Sequence, residues 1–202
     1  ISGEKDNLGG GILIRNTNTK SYINNTKFSY LTGFPLNEIS EFVILGAINF
    51  YESNVQINNS EFENIYSEDA LNIFRSKFEI VNNYYKNVNS DAIDIDFSEG
   101  KIRSSNFENI KNDAIDFSGS MVKISNSFFK NVNDKIVSAG EKSKVKVSKI
   151  KGYDSYAGIV SKDGSEVYIA DIYFDGVKIP FAAYQKKKEY NYGKLIIENI
   201  DI

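Results

Sequence analysis

Residues Ile93 to Phe117 read IDIDFSEGKIRSSNFENIKNDAIDF, one complete repeat and the start of the next. Ser98, Ile102, Phe107, Asn109, Ile110, Asp113 and Ala114 recur as Ser76, Ile80, Tyr85, Asn87, Val88, Asp91 and Ala92, at a constant offset of 22 residues. Most of these positions return further on as Ser120, Ile124, Phe129, Asn131 and Val132. Further back they are Ser53, Ile57, Phe62, Asn64, Ile65, Asp69 and Ala70. A fixed period of this size predicts a solenoid, because one repeat cannot bury its apolar face until neighbours stack on it.

Within each repeat, apolar and polar residues alternate with period two, as in Val122-Lys123-Ile124-Ser125. The alternating runs are short and broken by Asn, Ser, Asp and Gly, which reads as strands joined by tight turns. No segment carries apolar residues at helical spacing over ten residues. Leucine-rich repeats share the period, but isoleucine far outnumbers leucine here, and the 14 Phe and 13 Tyr also favour strands. The expected fold is therefore an all-β, single-stranded parallel β-helix solenoid, with about 22 residues per coil and roughly eight coils, forming one domain over residues 1–202.

Departures from the period mark the expected irregular segments. Residues 1–10 end in a glycine run and are expected to dock as a leader on the first coil. Tyr22 to Phe28 matches Gln56 to Phe62, but at an offset of 34 residues, and the excess falls in an expected loop over 32–43. A second loop is expected over 178–192, where Lys186, Lys187 and Lys188 read as solvated.

Stacking the coils about 4.8 Å apart would align like residues into columns. One column contains Ile48, Leu71, Ile93, Ile115 and Val137; a second Phe62, Tyr85, Phe107 and Phe129; a third Ile65, Val88, Ile110 and Val132. Between the last two runs an unbroken row of Asn64, Asn87, Asn109 and Asn131. Asparagine tolerates the left-handed backbone of a turn, and stacked amides can hydrogen-bond to one another. A second row, Asn59, Asn82 and Asn126, is interrupted by Ser104.

This pattern resembles the asparagine ladder of the right-handed parallel β-helices of the pectate-lyase-like superfamily, over roughly residues 11–202. The sequences DAIDIDFSEG, Ala139 to Ser143, Ser161 to Ser165 and Ala182 to Lys187 also resemble the β-helix tails of bacterial spore-coat kinase-like surface proteins. That resemblance implies an accessory region of a larger extracellular or cell-surface protein, with partners among polysaccharides or the parent protein's other domains.

The chain has no Cys and no His, which removes disulfides, thiol catalysis, Cys/His zinc sites and every imidazole-dependent triad. A formal charge of -3 with interspersed signs provides no basic stripe for nucleic acid. No apolar run approaches the length of a membrane span.

The candidate chemistry lies in an outward column of Asn49, Asn72, Asp94, Asp116 and Ser138, with Asp96 two residues beyond Asp94 and with Asp91 and Asp113 just before the strands. Carboxylates side by side on adjacent strands repel, so a proton or a cation must relieve them. Converging carboxylate oxygens suit a hard cation such as calcium, with Asp94, Asp96, Asp116, Asp91 and Asp113 as candidate ligands. The bland reading makes Asp69, Asp91 and Asp113 turn caps and leaves the others separately in water. Tyr51 and Phe74 occupy the position of Asp96 in earlier coils, forming a candidate aromatic shelf for a sugar, unless the 32–43 segment covers them. Lys101, Arg103 and Lys123 are the bases closest in sequence. The pectate-lyase-like resemblance implies calcium carboxylates with a Lys or Arg base, but no catalytic motif of that group is matched. Two functions are therefore expected: a non-enzymatic scaffold or glycan-contacting module, or a calcium-dependent polysaccharide lyase or related carbohydrate-active enzyme working at Asp94, Asp96 and Asp116.

Overall fold

The computed structural model describes residues 1–33 and 45–201. Within them the chain is all strand and turn, with no helix, and therefore none long and apolar enough to cross a membrane. Each coil begins on a first face, an eight-stranded parallel sheet of Ile12–Arg15, Gly46–Tyr51, Asp69–Phe74, Asp91–Asp96, Ile115–Ser118, Lys135–Gly140, Ala157–Lys162 and Ile179–Tyr184. The chain then turns into a second face, which includes Lys77–Val81, Glu99–Arg103 and Met121–Ser125. It turns again into a third, which includes Tyr84–Val88, Asn106–Ile110 and Phe128–Val132. The second and third faces belong to one 13-stranded sheet, because Lys144–Tyr153, Glu166–Asp175 and Lys194–Asp201 run unbroken through both. This is a parallel β-solenoid with the spacing read from the sequence.

The register makes the columns real. Ile48 pairs with Leu71, Leu71 with Ile93, and Ile93 with Ile115. The third face stacks Phe28, Phe62, Tyr85, Phe107 and Phe129 ring on ring, at centroid separations of 5.0, 4.7, 4.9 and 4.8 Å. All five rings are buried. A coil alone has no second face against which to hide such a ring, and the stack supplies one.

Three turn columns link the faces. Asn64, Asn87, Asn109 and Asn131 adopt φ of 54°, 55°, 58° and 55°, the left-handed region in which asparagine is tolerated. Their amides form a ladder: Asn87 donates to Asn64, Asn109 to Asn87 and Asn131 to Asn109, at 2.9–3.0 Å. A different spine is buried. The Ser76 N–H donates to Ser98 Oγ, Ser98 N–H to Ser120 Oγ, Ser120 N–H to Ser143 Oγ and Ser143 N–H to Ser165 Oγ. These serines recur in the sequence for this reason: each hydroxyl satisfies an amide of the preceding coil that the turn leaves unpaired.

Two of the expected irregular segments resolve differently. Ser2 bridges to Ser29 and Gly9 to Leu31, both in parallel, so residues 1–10 extend the third face over the first coil. Tyr22 and Phe28 pair with Gln56 and Phe62 as the 34-residue offset requires. The excess segment over 32–43 lies largely outside the described residues. The loop expected over 178–192 needs correction, because Ile179–Tyr184 is the last strand of the first face. Its Pro180 masks the strand signal in the sequence, yet an edge strand tolerates a proline.

Candidate functional site

The first face carries the acidic residues in three columns. Asp69 pairs with Asp91, and the chain continues with Asp113, whose N–H donates to Asp91 Oδ1 at 2.8 Å, and Lys135, whose N–H donates to Asp113 Oδ1 at 2.9 Å. The middle column runs Asn49, Asn72, Asp94, Asp116 and Ser138; the last runs Tyr51, Phe74, Asp96, Ser118 and Gly140. The register thus brings Asp91, Asp94, Asp96, Asp113 and Asp116 onto neighbouring positions of one face. Asp113 is buried, and Asp91, Asp94, Asp96 and Asp116 are half-buried.

Crowding and burial disfavour charge on these groups. Burial pushes Asp91 up to about 7, with Asp113 adding to it. Burial likewise raises Asp96 to about 6, reinforced by Asp116 and Glu141. Asp94 is held well above the usual carboxylate range by burial and by Asp69, Asp96 and Asp116 around it, and Asp69 rises for burial and for Asp91 and Glu68. Asp113 is raised by burial and by Asp116, against the pull of Lys135. The Asn72 amide bridges Asp94 at 3.1 Å and Asp69 at 3.4 Å, giving two carboxylates a shared donor.

Among the described residues Lys135 and Lys162 form ion pairs with the patch, and neither was legible from sequence proximity. Lys135 Nζ is 3.2 Å from Asp113 Oδ1; burial works against its charge, but Asp134 and Asp113 outweigh it and raise its pKa. Lys162 Nζ approaches Asp116 Oδ1 at 3.6 Å. Lys101 and Arg103 lie on the second face, paired with Glu79, and Lys123 sits beside Lys101 in register. Ser138 Oγ, fully buried at the next position of the middle column, has no hydrogen-bond partner. Among the described residues no group of three or more carboxylates is arranged to hold a metal ion.

Beside the carboxylates the Tyr51 and Phe74 rings stack at 4.8 Å and 10°, and Phe97 meets Phe74 edge-on at 5.8 Å. Arg75 covers one side of Phe74, its guanidinium 4.9 Å from the ring centre. The sequence pointed to Tyr51 and Phe74. Phe97 was missed because it occupies a turn position where the other coils carry polar residues or glycine.

No family model matches the chain, and no curated protein matches it. Among solved structures the chain is similar to the Siphovirus 9NA tailspike receptor binding domain, at 10% sequence identity and a TM-score of 0.28, over 90% of this chain and 44% of that one. The chain spans less than half the length of that domain.

Proposed function

We propose that this solenoid is a non-enzymatic module of a bacterial surface or secreted protein, a rigid scaffold that presents a glycan-contacting surface. The observation that carries the reading is the Tyr51–Phe74–Phe97 shelf, set against a face of amides and carboxyls. A pyranose ring offers an apolar face to an aromatic platform and hydroxyls to neighbouring acceptors and donors. Asn72, Asp94 and Asp96, half-buried beside the shelf, are the groups that could meet them. Stacking on the parallel ladder fixes the shelf without any induced closure, which lowers the ordering cost of binding.

Native affinity electrophoresis through gels containing soluble polysaccharides tests the reading. Wild-type protein should be retarded by at least one polysaccharide, and Tyr51→Ala/Phe74→Ala should migrate freely while keeping the wild-type melting temperature within a few degrees. Equal retardation of both proteins would remove the shelf from the function. Unsaturated products from a uronate polymer with calcium, lost in Asp94→Asn/Asp116→Asn, would favour the lyase instead.

A further inference from the structure

We propose that the glycan bound by this module is polyanionic, and that its charged groups lie in the groove just around the turn from the aromatic shelf rather than on the acidic face; this rests on the glycan-contacting reading above. The groove, about 590 Å³, runs along the turn between the first and second faces. Phe97 and Met121 line its middle, exposed by 53% and 56%. Cations stand at both ends: Arg75 and Lys77 from one coil, and Lys142 and Lys144 three coils on, with Lys144 in the column of Lys77. Against these four the groove has one carboxylate, Glu99. Arg75 already faces Glu52 at 3.5 Å, and Lys142 lies over the Tyr190 ring. Lys77 and Lys144 have Glu99 and Glu166 beside them in register, but among the described residues neither lysine closes an ion pair.

Phe97 supplies the second line of evidence. Its backbone is left-handed, φ 49°, as it is at this turn position in the neighbouring coils, but only here does the turn carry an aromatic ring, and that ring is half-exposed. The same turn position holds Asn16, Glu52, Arg75, Gly119 and Glu141 in other coils, all polar residues or glycine. Gly119 is the neighbour that makes room, since a Cβ there would lie 2.7 Å from the Phe97 ring. A half-exposed aromatic over a glycine notch, between two pairs of cations, is a platform for a ring that carries negative charge. The shelf therefore divides two surfaces of opposite sign, and a polyanion is repelled from the Asp94 side and drawn to the Lys77–Lys144 side.

The test compares migration in gels containing neutral dextran, carboxymethyl dextran or dextran sulfate, with a single-stranded oligonucleotide as a competitor of similar charge. Wild-type protein should be retarded by at least one of the two charged dextrans and at most weakly by the neutral one, with the retardation falling at least several-fold between low and half-molar salt. Lys77→Gln/Lys144→Gln should lose most of it, and Phe97→Ala should lose a comparable share without restoring salt-independent binding. Retardation by neutral dextran alone would overturn the polyanion inference and leave the glycan reading standing. No retardation by either charged dextran would also overturn it. Stronger displacement by the oligonucleotide than by the dextrans would assign the groove to nucleic acid and overturn it too.

Discussion

The Lys162 ammonium lies 3.6 Å from Oδ1 of Asp116, although a third strand, Lys135–Gly140, separates the two that carry them. The lysine stem crosses that strand at Gly140, where a Cβ would lie only 3.6 Å from Lys162 Cε. On the crossed strand Ser138 is fully buried, and Asp116 Oδ1 has an ion-pair partner but no hydrogen bond. Charge on the first face is thus balanced partly by lysines from later coils and partly by protons.

Those protons make stability depend on pH. Asp91, near 7, and Asp96, near 6, bind protons in the folded chain that the unfolded chain, with carboxyls near 4, has already released. Between those limits the folded state holds more protons, so this stability is fully present below about pH 4 and is lost as pH rises through the folded values near 6 and 7. Thermal melts across pH 5–8 should show that decline, and Asp91→Asn should flatten it. A melting temperature independent of pH in that range would show that these carboxyls are not held neutral.

The aromatic stack sets the scale of core energetics. Phe107 is buried between Tyr85 and Phe129 at 4.9 and 4.8 Å, and Phe107→Ala should destabilise the fold by about 3–5 kcal/mol in denaturant melts. Tyr85 has the same surroundings, but its hydroxyl is buried without a partner. Tyr85→Phe should leave stability unchanged or raise it by about 1–2 kcal/mol, because it removes an unpaired polar group. A clear loss in Tyr85→Phe would mean that the hydroxyl is hydrogen-bonded.

The two hydrogen-bonded spines should differ in cost. Ser98→Ala leaves the buried Ser76 N–H without its acceptor and should cost about 1–3 kcal/mol. Asn109→Gly keeps the left-handed turn and removes only the amide bonds to Asn87 and Asn131, which are more accessible to water, so its cost should be nearer 1 kcal/mol. The reverse order, measured in the same denaturant, would contradict the burial argument.

The columns were legible because residue type at fixed spacing survives through the central coils, from Phe62 to Phe129. Phe107 aligns with Tyr85 and Phe129 by counting alone, and the left-handed asparagines announce their turns. Ser98 and Ser120 were equally visible, but their role was not, since nothing in the letters says that a hydroxyl meets the amide of the coil before it. The reach of Lys162 to Asp116 was hidden for a different reason. It depends on a long side chain lying across a glycine on the intervening strand, whereas Lys101 and Arg103, though close to Asp94 and Asp96 in sequence, are carried by the turn onto another face. Phe97 was hidden because its turn position breaks the repeat's polar pattern.

Lys162→Met tests how the acidic face is balanced. Removing the ammonium leaves Asp116 Oδ1, shielded from water, with neither ion pair nor hydrogen bond, and should lower stability by about 1–3 kcal/mol at pH 8, above the values of Asp91 and Asp96. Asp116→Asn in the same background should restore much of that loss, because the orphaned charge is gone. Calcium supplies the last comparison. If Asp94, Asp96 and Asp116 converge on a hard cation once the lysine no longer competes, millimolar calcium should raise the melting temperature of Lys162→Met but not of Lys162→Met/Asp116→Asn, through binding to the folded state alone. A single variant as stable as wild type would show that Lys162 does not neutralise the face, and equal calcium responses in the two variants would exclude Asp116 from any cation site there.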